Sequence, residues 1–130
     1  MKSEANIDSS WESGIIFDRD TEGAGDGLIT SIYRGVGPNE FYSVVVSGKF
    51  DTTGMEVKQF GLDKQDTINF AERYPNIAAV LEVKIPKGVL NKIGDFTKVD
   101  TTIFKNGTVT IQPENLDIFN KYIKEILHIY

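Results

Sequence analysis

Arg34 ends a short apolar run in SIYRGVG, residues 31–37. Its guanidinium is a planar fork of N–H donors that matches a phosphate or a carboxylate, and Gly35 and Gly37 remove side chains that would block the approach. Anion recognition by Tyr33, Arg34 and Gly35 is the chemistry this stretch suggests; a surface arginine paired with an acid is its plain alternative. A second candidate is GMEVKQFG, residues 54–61. Here Lys58 and Gln59 could bond the polar edge of a ring while Phe60 stacks on it. The same residues also fit a strand that alternates Val57, Gln59 and Gly61 against Lys58, Phe60 and Leu62. A third is Gln112-Pro113-Glu114 at the end of TVTI, where a carboxylate could bond a ribose hydroxyl or stabilise an oxocarbenium-like centre. Proline followed by glutamate is equally a helix start. Glu82, flanked by Leu81 and Val83, and Asp100 are further candidate acids.

Other chemistries find less support. The chain has no cysteine, which removes disulfides and thiolate zinc sites. His128 is the single histidine and reads as a residue on a helix face, which argues against a histidine metal centre or a Ser/His/Asp triad. No metal site is expected. There is no P-loop, no Gly-x-Gly-x-x-Gly and no His-Glu-x-x-His.

With 130 residues, 40% hydrophobic and 25% charged, the chain suits one soluble domain with its own core. No apolar run approaches the roughly 20 residues of a membrane helix, and the polar start MKSEANIDSS lacks the apolar region of a secretory signal. The net charge of −5 sits wholly in residues 1–26, which carry seven acids and two bases; residues 27–130 balance. Nucleic-acid binders usually show a basic excess, so this balance counts against phosphate-backbone binding. Two regions follow: an acidic, glycine-rich arm or linker over 1–26 and one globular domain over 27–130. Within the arm, Trp11 and Ile15–Phe17 either dock on the domain or form one edge strand.

The elements that must position the candidates follow from local patterns. Leu28–Arg34 reads as a strand. Pro38 to Gly48 reads as a helix, with proline at its first position and glycine as its C-terminal cap. VKQFGL is a short strand. Asp63 caps a helix that Tyr74–Pro75 stops. Ile77–Ile85 alternates Leu81, Val83 and Ile85 against Val80, Glu82 and Lys84, as a half-buried strand does. PKGVLNKIG is a helical turn, and TTIFKNGTVTI a hairpin about Asn106–Gly107. From Pro113 or Glu114 to Tyr130, the apolar stripe Leu116, Phe119, Tyr122, Ile123, Ile126, Leu127 and Tyr130 predicts a long amphipathic helix, with Asp117–Lys121 and Lys121–Glu125 pairing on its outer face. The expected class is α+β: a small, twisted, mainly antiparallel sheet with helices packed on it.

Taken together, YRGVGPNEF, SGKF, GMEVKQFG, INFAERYPN, AAVLEVKIP and VDTTIFKNGTVTIQPENLDIFN resemble the C-terminal effector domains of bacterial polymorphic toxins of the Rhs and contact-dependent inhibition types. Within these the chain resembles the ADP-ribosyltransferase-like group over about residues 28–123. The resemblance implies an enzyme that cleaves the nicotinamide–ribose bond of NAD in a cleft between two small sheets. It implies that Arg34 on the first strand holds the dinucleotide, that Gln59–Phe60 falls at the second motif without its usual serine, and that Gln112-x-Glu114 matches a Gln-x-Glu signature, here interrupted by Pro113. It also implies action in the bacterial cytoplasm after delivery from a secreted or surface-bound parent, and a cognate immunity protein as partner.

Two other readings fit the sequence. A metal-independent ribonuclease toxin would use Arg34 to bind phosphate and Lys58 with His128 as its acid–base pair. A non-enzymatic acidic immunity or binding protein would meet a basic partner through residues 1–26.

Overall fold

The computed structural model describes residues 14–18, 28–51, 56–97 and 102–130. They build a seven-stranded antiparallel sheet with four α-helices. In chain order these are β1 (Ile15–Asp18), β2 (Ile29–Val36), α1 (Pro38–Ser47), β3 (Lys58–Gly61), α2 (Lys64–Arg73), β4 (Ala79–Pro86), α3 (Lys87–Ile93), β5 (Gly94–Thr97), β6 (Thr108–Ile111), α4 (Leu116–Tyr122) and β7 (Glu125–His128). A 3₁₀ turn, Pro113–Asn115, leads into α4. The strand order is β1-β7-β4-β2-β3-β6-β5.

Local chemistry explains most boundaries. Pro38 opens α1, and Gly48, at φ 73°, closes it by donating its N–H to Val44 O. Asp63 caps α2 by accepting from the Asp66 N–H at 3.0 Å. Gly107, at φ 94°, makes the turn before β6, and its carbonyl accepts from the Leu62 N–H.

β2 and β4 pair along eight residues, from Ile29↔Pro86 to Val36↔Ala79. Because side chains alternate, Ile32, Arg34 and Val36 share one face with Leu81, Val83 and Ile85, while Ser31, Tyr33 and Gly35 share the other with Val80, Glu82 and Lys84. The first face carries the core. Phe50, Phe60 and Phe119 are fully buried there, with ring centroids 5.1–5.9 Å apart. Val44 of α1, Leu90 of α3 and Leu116 of α4 join them. Asn120 completes this layer: its Oδ1 accepts from the Phe50 N–H and its Nδ2 donates to Phe50 O, both at 2.8 Å. The second face is covered at one end by α2, whose Phe70 lies against Gly35.

Two expectations are corrected. The long C-terminal helix does not form: α4 ends at Tyr122, Ile123 turns to extended backbone, and residues 125–128 become β7. Ile126 is apolar and buried under either a helical or a strand period, so the stripe alone could not choose between them. The deciding term is tertiary, because β7 satisfies the outer edge of β4, with Leu81↔His128 to Lys84↔Glu125 in register. Glu125 accordingly pairs with Lys84 at 3.4 Å across the strands instead of with Lys121. The hairpin about Asn106–Gly107 is likewise only a turn. β6 pairs with β3 and β5, and residues 102–105 form no strand. Ile15–Asp18 is an edge strand on β7, so this part of the 1–26 segment belongs to the sheet. Trp11, Gly54 and Asp100 lie outside the described residues.

Candidate functional site

The sheet is narrowest where β2 meets β3. Their pairing is the single position Tyr33↔Gly61, against eight for β2 with β4 and four for β3 with β6. A four-stranded half (β1-β7-β4-β2) and a three-stranded half (β3-β6-β5) therefore meet at one residue pair. Six of the candidates, Tyr33, Arg34, Gly35, Lys58, Gln59 and Phe60, lie at this junction.

Arg34 spans it. Its Nη1 donates to Gln59 O on β3 at 2.9 Å. Its Nε and Nη2 donate to the two carboxylate oxygens of Glu40 at 2.7 and 3.0 Å, a bidentate pair. Three of the five guanidinium N–H groups are thus engaged. Both side chains are about one-fifth exposed, at 19% and 21%. Among the described residues Lys58 is the most deeply placed cation, 6% exposed, with Nζ 3.8 Å from Glu40 Oε2 and 3.6 Å from Glu56 Oε1. Glu40 therefore serves two cations at once. Sequence reading missed it, because an acid in the first turn of a helix is sufficiently explained by the helix dipole. The signal was its place six residues after Arg34, across a glycine-proline turn that folds α1 back over the strand end.

The remaining candidates separate. Phe60 cannot stack on a ligand: it is fully buried between Phe50 and Phe119, and Arg34, with Cζ 5.9 Å from the ring centroid, lies over it. Gly35 faces α2 and the segment after it, where an added Cβ would meet Ile77 Cγ2 at 3.1 Å and Phe70 Cδ2 at 3.5 Å, so its missing side chain serves packing and not phosphate approach. Gln59 is exposed, and its Nε2 donates to Thr108 Oγ1 at 3.3 Å. Glu82 lies on the opposite face of the sheet from Arg34, in register with Tyr33, and accepts from Ser31 Oγ at 2.6 Å. Burial, and then the charges of Glu82 and Asp63, push the Tyr33 hydroxyl above its ordinary pKa of 10, against an opposing hydrogen bond with Ser31. Glu114 is exposed in the 3₁₀ turn, three residues beyond Ile111, which pairs with Lys58. The neighbouring Gln112 donates instead to Asp95 Oδ2 at 3.0 Å. The structure thus brings Arg34, Lys58 and the backbone carbonyl of Gln59 together, while the Gln59 side chain and Glu82 lie on the other face of the sheet.

His128 sits on a strand, not on a helix. It shares the core face with Arg34 but lies two strands away, about 10 Å by strand spacing, with the buried Leu81 between them. Its ring packs on Phe41 at 5.0 Å. Among the described residues no group of His, Cys, Asp and Glu could hold a metal ion, and no helix is long and apolar enough to cross a membrane.

Chemically, the junction is an oxyanion seat. Two cations from different halves of the sheet converge on one carboxylate, and the Arg34 fork receives both of its oxygens. Comparison with family models, curated proteins and solved structures finds no match.

Proposed function

We propose that the chain is a bacterial toxin effector domain that uses NAD in ADP-ribosyl transfer or NAD glycohydrolysis, with the β2–β3 junction holding the dinucleotide's pyrophosphate. The observation that carries this reading is the convergence of Arg34 and Lys58, from the two halves of a sheet joined at one pair, on a bidentate carboxylate. A pyrophosphate oxygen pair has the same demand as that carboxylate: two acceptors in the plane of a guanidinium fork, with a second cation beside them. Glu40 would swing aside as the substrate takes its place. Nicotinamide then leaves C1′ of the ribose with the bonding electron pair, which neutralises its ring charge. Water or an acceptor adds at C1′ and gives up a proton. The developing positive charge on the ribose needs a carboxylate. Glu114, solvent-exposed beyond the end of β6 on the Lys58 side, is assigned that role; Glu82, on the far face, is the weaker candidate. The domain would act in the cytoplasm of a bacterial target, delivered by a larger parent protein and restrained by a cognate immunity protein.

The test is NAD consumption by the purified chain, with RNA cleavage in metal-free buffer run alongside. NAD loss that Arg34→Ala abolishes and His128→Ala leaves nearly unchanged is the expected result. RNA cleavage lost on His128→Ala, with NAD untouched, would replace this reading by a ribonuclease.

A further inference from the structure

Away from the junction, α3 and α4 carry the same five-residue pattern. Residues 89–93 read VLNKI and residues 118–122 read IFNKY: apolar, apolar, Asn, Lys, apolar. The second apolar residue of each, Leu90 and Phe119, is buried in the core. The first and fifth, Val89 with Ile93 and Ile118 with Tyr122, stand one helical turn apart and face a shared groove of about 380 Å³. Its floor is continuous with the core, since Val89, Ile93 and Tyr122 pack partly against it, while Ile118 remains 43% exposed. Each bounding helix adds one lysine, Lys92 or Lys121. Both are solvent-exposed, and among the described residues neither ammonium has a carboxylate within 4.0 Å; Lys121 lies instead over the Tyr122 ring, 5.6 Å from its centroid.

We infer that this groove docks an acidic amphipathic helix of a partner protein. An apolar trough between two helices, holding about a dozen waters' worth of space at ~30 Å³ each, accepts apolar side chains spaced i, i+3 or i+4, and i+7 along one helix face. The lysines come one from each bounding helix, so they meet acidic residues on the two flanks of such a helix. A fatty acid, with one carboxylate at one end, has no acid for a second flank. Charge complementarity at the rim sets which helix binds, and the apolar floor supplies the contact area. This inference is independent of the NAD reading, because none of its residues belongs to the junction.

The experiment uses the full chain and two synthetic 18-residue helical peptides with identical leucine faces, one with glutamate and one with lysine on its flanks. Methyl resonances of Val89, Ile93 and Ile118 report the site, and fluorescence anisotropy the affinity. The glutamate peptide is expected to shift these methyls and to bind about tenfold more tightly than the lysine peptide, given two rim pairs of modest strength. In Lys92→Glu/Lys121→Glu, whose changes are confined to exposed positions, the preference should invert. Equal binding of both peptides, absence of methyl shifts at millimolar glutamate peptide, or a preference that survives the double reversal would each overturn the proposal. So would sodium decanoate that moves the same methyls while the glutamate peptide does not.

Discussion

Glu40→Gln is the most informative single change, because one carboxylate holds both Arg34 and Lys58. The amide keeps one acceptor for the Arg34 fork but turns an NH₂ toward its second N–H, and the negative charge is gone. A hydrogen bond to a charged group contributes about 1.5–3 kcal/mol, and breaking a fully buried pair costs about 3–5. The Arg34–Glu40 pair is one-fifth exposed, so solvent screens part of this. Glu56, 3.6 Å from Lys58, offsets part of the rest. A loss of about 2 kcal/mol follows, or about 7 °C in Tm for a domain of this size. The assay is thermal melting of wild type and variant, with and without inorganic pyrophosphate. The variant should melt lower in plain buffer and regain stability with pyrophosphate, since its two cations no longer have Glu40 as a competing anion. Wild type should respond much less. A variant that melts within about 1 °C of wild type would refute the energetic reasoning. A variant that ignores pyrophosphate would refute the oxyanion seat, whatever its stability.

Other consequences are open to measurement. Asn120→Leu removes both bonds to Phe50 and strands a buried N–H and a buried carbonyl; a loss of about 3 kcal/mol in urea denaturation is expected, and one below about 1 would mean that water replaces the side chain. Tyr33 has a raised pKa in the fold, so the folded state holds its proton more firmly than the unfolded chain does. Stability should therefore be complete below pH 10 and fall as pH rises past it, and Tyr33→Phe should flatten that part of the pH–stability profile. An unchanged slope in the variant would assign the alkaline loss to other groups.

Elements with strong local chemistry were legible in the sequence. Proline and glycine bracket α1, Asp63 caps α2, and Leu81, Val83 and Ile85 alternate on β4 as read. The illegible parts depend on partners remote in sequence. EILH becomes β7 only because β4 and β1 lie on either side of it, and no local pattern reveals them. The site divides in the same way. Arg34 stands out in the sequence beside glycine; in the fold β2 runs on to Val36 and the guanidinium pairs with the Glu40 carboxylate, the plain alternative to a ligand role. A strand as short as β3 hides which face is buried; pairing with β6 turns Phe60 to the interior, while packing under α2 leaves Gly35 half-buried. Glu40 went unnoticed because its role arises from a fold-back that the sequence shows only as a turn.

β7 also bears on when this protein can fold. It is made last among the elements, yet it lies second from the edge, between the first strand and β4. Until residues 125–128 leave the ribosome, β4 presents a row of unsatisfied backbone groups flanked by the apolar run Ala79–Leu81. Nascent chains arrested short of that point would offer an adhesive edge to one another, and the arrival of residues 125–128 closes it.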